Sequence, residues 1–383
     1  MAKGLFGGGN GTERNPYLVE DAQDLVSIKN AENPTQHYRQ KANIDLSHIP
    51  SWNPIGNVAN GPPFMGVYDG NNFVIENLTI DNTDSSFAPY IGLFGLCNNS
   101  SLKRVKLRKA NVRGSGGQRA GILVGSIENS VVSDCSVEGL VSVPDGDVGG
   151  LTYSLGNGSK LSRCSAENVV VEGHHAGGLT AYTSGDILDC YATGEIYGDG
   201  SSSWLGGLAY SQNGGTITNC YASIVMKSVE YLSSDLFPLV YSVGSGTLES
   251  LYVDITSGVS KQEWKAGVDY YANSIFIRGT DGHLYKKINN QDGVNYDYGP
   301  PFNPNYLAQP ISGANWSRYW ERVTADTVDG ARTTKQMMTK ENYVGWDFEN
   351  VWRIDEGKSY PYFRSSQSTQ CTAFPLFRRM IKN

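Results

Sequence analysis

The chain has 383 residues, with 31 Lys and Arg against 38 Asp and Glu for a formal net charge of −7, yet only 18% of it is charged. The acidic balance argues against a nucleic-acid partner, whose phosphates demand a basic face. No stretch approaches the roughly 18 consecutive apolar residues of a membrane span. With 45 Gly and 23 Tyr, the composition reads as a β-rich, turn-rich protein of one to three domains rather than a helical enzyme.

The opening segment, MAKGLFGGGNGTERNPYLVE, lacks the apolar run of a secretion signal, so folding inside the producing cell is expected. Asp21 reads as the start of a short amphipathic helix, with Asp24 three residues on and Leu25 and Ile28 on one face. Residues 1–40 are therefore expected to form an N-terminal cap.

From 41 to 262 one pattern recurs, apolar–x–x–apolar–x–apolar. Its copies are Ile75/Leu78/Ile80, Leu102/Val105/Leu107, Val132/Cys135/Val137, Leu161/Cys164/Ala166, Ile187/Cys190/Ala192, Ile217/Cys220/Ala222 and Leu248/Leu251/Val253. Successive middle members lie 27, 30, 29, 26, 30 and 31 residues apart, a period that belongs to stacked repeats. A Gly-flanked apolar segment precedes most copies, as in Gly121–Gly125, Gly150-Leu151 and Gly178-Leu179. Short strands punctuated by glycine turns predict an all-β, parallel β-helix in which equivalent residues form columns.

Those columns carry the chemistry. Cys135, Cys164, Cys190 and Cys220 share one inward slot with Leu78, Val105 and Leu251, so free core thiols are expected rather than disulfides or a metal site. Just before them, Arg104, Asp134, Arg163 and Asp189 alternate in sign and would pair up one outer face. Just after, Tyr191, Tyr221 and Tyr252 form an outward stripe, read either as cross-strand packing or as a platform for sugar. Glu138 and Glu167 fall in one outward column and supply the pair of carboxylates that glycoside hydrolysis needs. Arg108 sits one coil earlier in that column, and a surface carboxylate there has no evident desolvation. His174-His175 reads as loop polarity, since adjacent histidines point apart on a strand.

Residues 263–332 break the rhythm and are rich in aromatics. Thr280-Asp281-Gly282 reads as a turn between strands Ser274–Arg278 and His283–Lys287, within a small inserted β module. Tyr296, Tyr298, Trp316 and Tyr319 lie in or beside a polar loop and are candidate glycan contacts, together with Tyr191 and Tyr221. In the remainder, 333–383, Thr334–Lys340 suggests a second short capping helix before the aromatic segment GWDFENVWRIDEGKSYPYF.

Taken in order, GGGNGTERNPYLVEDAQDLVSIKN, FMGVYDGNNFVIENLTIDN, IGLFG, the GGL…TITNCYA units and that closing segment resemble bacterial and phage proteins with GLUG-type repeats. The resemblance implies a right-handed parallel β-helix used in adhesion, in surface proteins and in phage tail fibres or tail tips, without catalytic residues. The insert is similar to small carbohydrate-binding modules of chitinases, through Trp264, Tyr270, Ile275–Ile277, Gly282, Leu284-Tyr285 and Trp320–Val323. The function expected from these readings is a non-enzymatic receptor-binding adhesin of a phage tail or related contractile particle. Its expected partners are a host polysaccharide or cell-wall glycan and other tail or baseplate proteins, with a homotrimer as a fitting assembly. It is expected on the virion, extracellular after release, without cofactor, metal, nucleic acid or membrane insertion. A polysaccharide depolymerase and a bacterial surface adhesin are the alternatives.

Overall fold

Residues 6–29, 35–59, 61–83, 89–199, 203–228, 235–237, 239–254, 276–278, 284–287, 320–322 and 331–364 are described by a computed structural model. Each repeat delivers strands to three parallel sheets that close around one core, making a parallel β-solenoid. Sheet A has nine strands, from Tyr17–Val19 through Val131–Ser133, Lys160–Ser162 and Asp186–Leu188 to Thr247–Glu249. Sheet B holds the long strands Lys106–Gly114, Ser136–Gly149, Ser165–Gly177, Tyr191–Gly198 and Tyr221–Ser228. Sheet C has six strands, from Phe94–Asn98 to Val240–Val243. Register is kept coil after coil: Val137 pairs with Ala166, Ala166 with Ala192, Ala192 with Ala222 and Ala222 with Val253.

The corner between sheets A and B explains the recurring pattern. Asn77, Arg104, Asp134, Arg163, Asp189, Asn219 and Ser250 all have φ between 51° and 60°, so the chain turns through a left-handed residue between two apolar ones. The sequence reading placed these residues on the outer side of a strand. They are instead the corner itself, which costs most side chains energy and is tolerated best by Asn and Asp. The turn drives the following residue inward, and Val105, Cys135, Cys164, Cys190 and Cys220 are each at most 1% exposed. The Cys164 N–H donates to Cys190 Sγ at 3.4 Å and the Cys190 N–H to Cys220 Sγ at 3.3 Å. Among the described residues all five cysteines are free, as expected from packing, and burial pushes the Cys135 and Cys190 thiols up. A second left-handed position bulges sheet B at Lys109, Gly139, Asn168 and Gly194. At Gly194 a Cβ would lie 2.0 Å from the Val169 carbonyl oxygen, so only glycine fits that rung.

The alternating charges pair in part. Arg163 Nε donates to Asp134 Oδ1 at 2.6 Å, while Arg104 turns back to Asp69. With Arg163 39% exposed at its side chain, such a pair contributes about 0–1 kcal/mol.

Both ends of the repeat region are covered. Helix Ala22–Lys29 starts where the Asp24 N–H donates to Asp21 Oδ1 at 3.0 Å, and buries Leu25 and Ile28. Sheet A already includes Tyr17–Val19 paired with His37–Gln40, so stacking extends into the stretch before residue 41. At the other end a capping box of Thr333 and Gln336 opens the helix Thr334–Met337. In the insert, Phe276–Arg278, Leu284–Lys287 and Trp320–Arg322 form a three-stranded antiparallel sheet. The expected turn at Thr280–Gly282 lies outside the described residues.

Candidate functional site

The Tyr191, Tyr221 and Tyr252 column stacks in register, with the first two rings 4.9 Å apart and 4° from parallel. It is not an exposed stripe. Tyr191 is 1%, Tyr221 0% and Tyr252 5% exposed. The segment after residue 342 returns along this face and seals it with Trp346, Phe348, Trp352, Tyr360 and Phe363. Trp352 Nε1 donates to Asp189 Oδ1 at 3.2 Å, and the Tyr221 hydroxyl donates to the Pro361 carbonyl at 2.8 Å. Tyr191 and Tyr221 are thus core side chains of a second hydrophobic cluster, which removes them as sugar contacts.

Beside this cluster lies the carboxylate column. Arg108 bonds both members, Glu138 at 3.4 Å and Glu167 at 3.3 Å. Glu167 is 7% exposed and also accepts from the Tyr191 hydroxyl at 2.6 Å and from Ser165 at 2.9 Å. Desolvation was not expected here, yet burial raises the Glu138 carboxyl above its ordinary range against the pull of Arg108. The Tyr191 hydroxyl links Glu167 to the capped cluster, while the Glu138 side chain keeps 40% exposure. A shared arginine makes the pair an ion network, tied on one side to the core.

A different surface keeps its aromatics partly open. It lies where the end of sheet B meets sheet C. Along sheet B, Tyr90, Arg119, Asp147, His175 and Trp204 pair successively in one column. Across the corner, sheet C contributes Tyr153, Tyr182 and Tyr210. Ring centroids run Tyr90–Tyr153 6.3 Å, Tyr153–Tyr182 5.5 Å and Tyr182–Tyr210 5.1 Å. The rungs between them are small. A Cβ on Gly125 would lie 2.6 Å from Tyr90 Cβ, so that ring settles over a rung without a side chain, and Ala181, on the coil of Tyr182, is fully buried. Arg119 lies over the Tyr153 ring at 5.4 Å, a cation–π contact. All four tyrosines and Trp204 are half-buried.

At the upper end three rings lie nearly parallel: His175 is 4.8 Å from Trp204 at 18° and 4.5 Å from Tyr210 at 12°. His175 Nδ1 is 2.6 Å from Asp147 Oδ1, while its Nε2 is buried with no hydrogen-bond partner among the described residues. The histidine pair is therefore not loop polarity. His175 is a stacked ring anchored by Asp147, and His174 faces Asp199 at 3.6 Å. Burial raises the Tyr153, Tyr182 and Tyr210 hydroxyls, with nearby Asp147 adding to it, so these rings stay neutral donors at physiological pH. Among the described residues no three His, Cys, Asp or Glu side chains gather to hold a metal. Tyr296, Tyr298, Trp316 and Tyr319 lie outside the described residues.

Sequence reasoning missed this strip, although a signal exists. The residue two before each glycine corner reads Arg119, Asp147, His175, Trp204, and a tyrosine follows each corner leucine in Leu151-Thr152-Tyr153, Leu179–Tyr182 and Leu208-Ala209-Tyr210. The two series sit on different sheets and meet only once the corner is folded.

No family model matches the chain. A Gly-rich membrane protein of Evansella cellulosilytica, so named provisionally, is 38% identical over 105 residues, which are 26% of this chain and 12% of that protein. Halomucin of Haloquadratum walsbyi is 34% identical over 140 residues, 33% of this chain and 2% of that protein. The chain thus spans a small fraction of the relatives it matches. Among solved structures, a Bacteroides ovatus protein provisionally called an immunoglobulin A1 protease superposes with a TM-score of 0.62 at 19% identity, covering 96% of this chain and 97% of that one. That likeness supports the β-solenoid fold.

Proposed function

We propose that this chain is an adhesive rod of a surface-displayed protein, binding carbohydrate through the half-open aromatic strip. The observation that carries the reading is the unbroken run of rings from Tyr90 through Tyr153 and Tyr182 to Tyr210, flanked by Arg119 and Asp147. Sugar C–H faces pack on aromatic rings, while the tyrosine hydroxyls and charged neighbours meet sugar hydroxyls. A solenoid suits the task because its core is closed and its outer columns are free to vary.

The expected setting on a phage tail and a setting on a cell envelope use the same surface. The names of the two relatives, a membrane protein and a halomucin, favour the envelope. Gold-labelled antibody against the chain distinguishes them, by marking producing cells or the particles released on lysis.

The binding test is an array of bacterial and host polysaccharides probed with the intact chain and with Tyr153→Ala/Tyr182→Ala. The expected result is retention of at least one polysaccharide, weakened at least tenfold in the variant while its melting temperature stays within several degrees. Absence of any binding, or equal binding by a folded variant, overturns the reading. The carboxylate column supports a depolymerase less well, since Arg108 holds both Glu138 and Glu167. Release of reducing ends that vanishes in Glu138→Gln would reverse that preference.

A further inference from the structure

Resting on the carbohydrate reading, we infer that the ligand is an extended, uncharged polysaccharide of β-1,4-linked pyranoses, laid along the solenoid axis and gripped in mid-chain rather than at its end. The strip is neither a pocket nor a single platform. It is a line of rings rising with the stack. Tyr90 precedes the first strand of sheet C, and Tyr153, Tyr182 and Tyr210 come from the third, fourth and fifth. Neighbouring rings are 5.1–6.3 Å apart: Tyr153, Tyr182 and Tyr210 come from successive coils, which repeat at about 4.8 Å, while Tyr90 reaches Tyr153 past the intervening Arg119 coil. A ribbon-like β-1,4-linked chain advances by a distance similar to the spacing between rings, so successive pyranoses meet successive rings.

Ring orientation divides the line in two. Tyr90 and Tyr153 are 31° from parallel, and Trp204 and Tyr210 are 11° from parallel. Between the groups Tyr182 stands edge-on to Tyr210 at 88°. A tilted pair lies at one end and a stack at the other, where His175 already covers one face each of Trp204 and Tyr210. Joined by an edge-on ring, they fit a chain that runs past their remaining faces and edges and keeps going. A terminal sugar would need a closed end wall. Charge supports an uncharged ligand: the exposed Arg119 is balanced by Asp147, whose carboxylate is already bonded to His175. A uronic-acid polymer would find no surplus of positive charge there.

The test is calorimetric titration of the intact chain with β-1,4-linked N-acetylglucosamine and glucose oligomers of one to six units, alongside the parent polymers. In at least one series affinity is expected to rise by about tenfold for each further ring that the oligomer covers, and to level off once the strip is spanned. Tyr90→Ala should weaken the hexamer and leave the dimer unchanged. Equal affinity for monomer and hexamer, or loss of both together in Tyr90→Ala, overturns the axial arrangement and leaves carbohydrate binding standing. Binding confined to anionic or differently linked polysaccharides overturns the ligand class alone. If neither these probes nor any arrayed polysaccharide binds, the carbohydrate reading itself fails.

Discussion

Two tyrosine lines climb this solenoid, one in strict register and one staggered across a corner. Tyr191, Tyr221 and Tyr252 lie at most 5% exposed beneath the returning C-terminal segment. Tyr90, Tyr153, Tyr182 and Tyr210 stay half-buried at the corner of sheets B and C. Registry aligns the first line rung on rung, whereas in the second Tyr182 pairs with Ser154 and Ser211, so its rings meet by side-chain reach rather than by register. What separates them is chain from outside the repeats. On one face, Trp346 to Phe363 supplies the matching aromatic surface and turns the tyrosines into core. On the other, Gly125 lets Tyr90 settle against the coil, and all four rings stay half-buried. A tyrosine column on a solenoid is thus a neutral starting material, and its covering decides between stability and recognition.

The sharpest way to break this contrast is to remove the covering. Trp352 is fully buried, 4.4 Å from Trp346 and 4.7 Å from Phe363. Trp352→Ala should cost about 3–5 kcal/mol, measured by urea unfolding, and should flatten the near-ultraviolet circular dichroism while leaving the open strip's binding intact. A cost below about 1 kcal/mol would mean that the cap merely rests on the face.

The thiol ladder tests the coil stacking beneath both lines. Cys164→Leu forces extra methylenes into a filled corner and should cost about 1–3 kcal/mol, whereas Cys164→Ala should cost less. Equal tolerance of both would indicate a loose corner and a less strict alignment of the columns above it.

A smaller effect separates the ends of the stack by pH. Burial alone would raise the Asp69 carboxyl, but hydrogen bonds and charge from Arg104 outweigh it and hold the group below its ordinary range. A depressed folded value means the stabilisation is complete above the unfolded value of about 3.9 and is lost as pH falls through the folded one. Asp69→Asn should therefore flatten the acid limb of the stability curve. At Asp189, under the cap, burial raises the carboxyl despite bonds from Trp352 and Asn219. Its sign is opposite: stability is gained as pH falls through the raised value, and Asp189→Asn should remove that gain. Identical acid limbs in both variants would contradict the assignment.

Much of this was legible in the sequence, for local reasons. The period of 26–31 residues fixed the stacking, the Cys slot was read as core, and Asp21 with Leu25 and Ile28 announced the first cap. Other features depend on distance. Alternation correctly set Tyr221 outside the coil, but its hydroxyl partner, Pro361, is 140 residues away, and nothing local announces that return. The corner at Arg104, Asp134 and Arg163 looked like strand because left-handed φ is easy to foresee for Gly and Asn and hard to foresee for Arg. The open strip escaped because His175 and Tyr182 flank a glycine corner, where strand periodicity stops.

The most direct test of the contrast between the two lines is tyrosine nitration of the native chain, read residue by residue by mass spectrometry, with and without a bound polysaccharide. The predicted result is modification of Tyr153 and Tyr182 that the polysaccharide suppresses, with Tyr191 and Tyr221 unmodified until the protein unfolds. Nitration of Tyr191 and Tyr221 as fast as Tyr153, or a polysaccharide that binds without shielding Tyr153 and Tyr182, would contradict it.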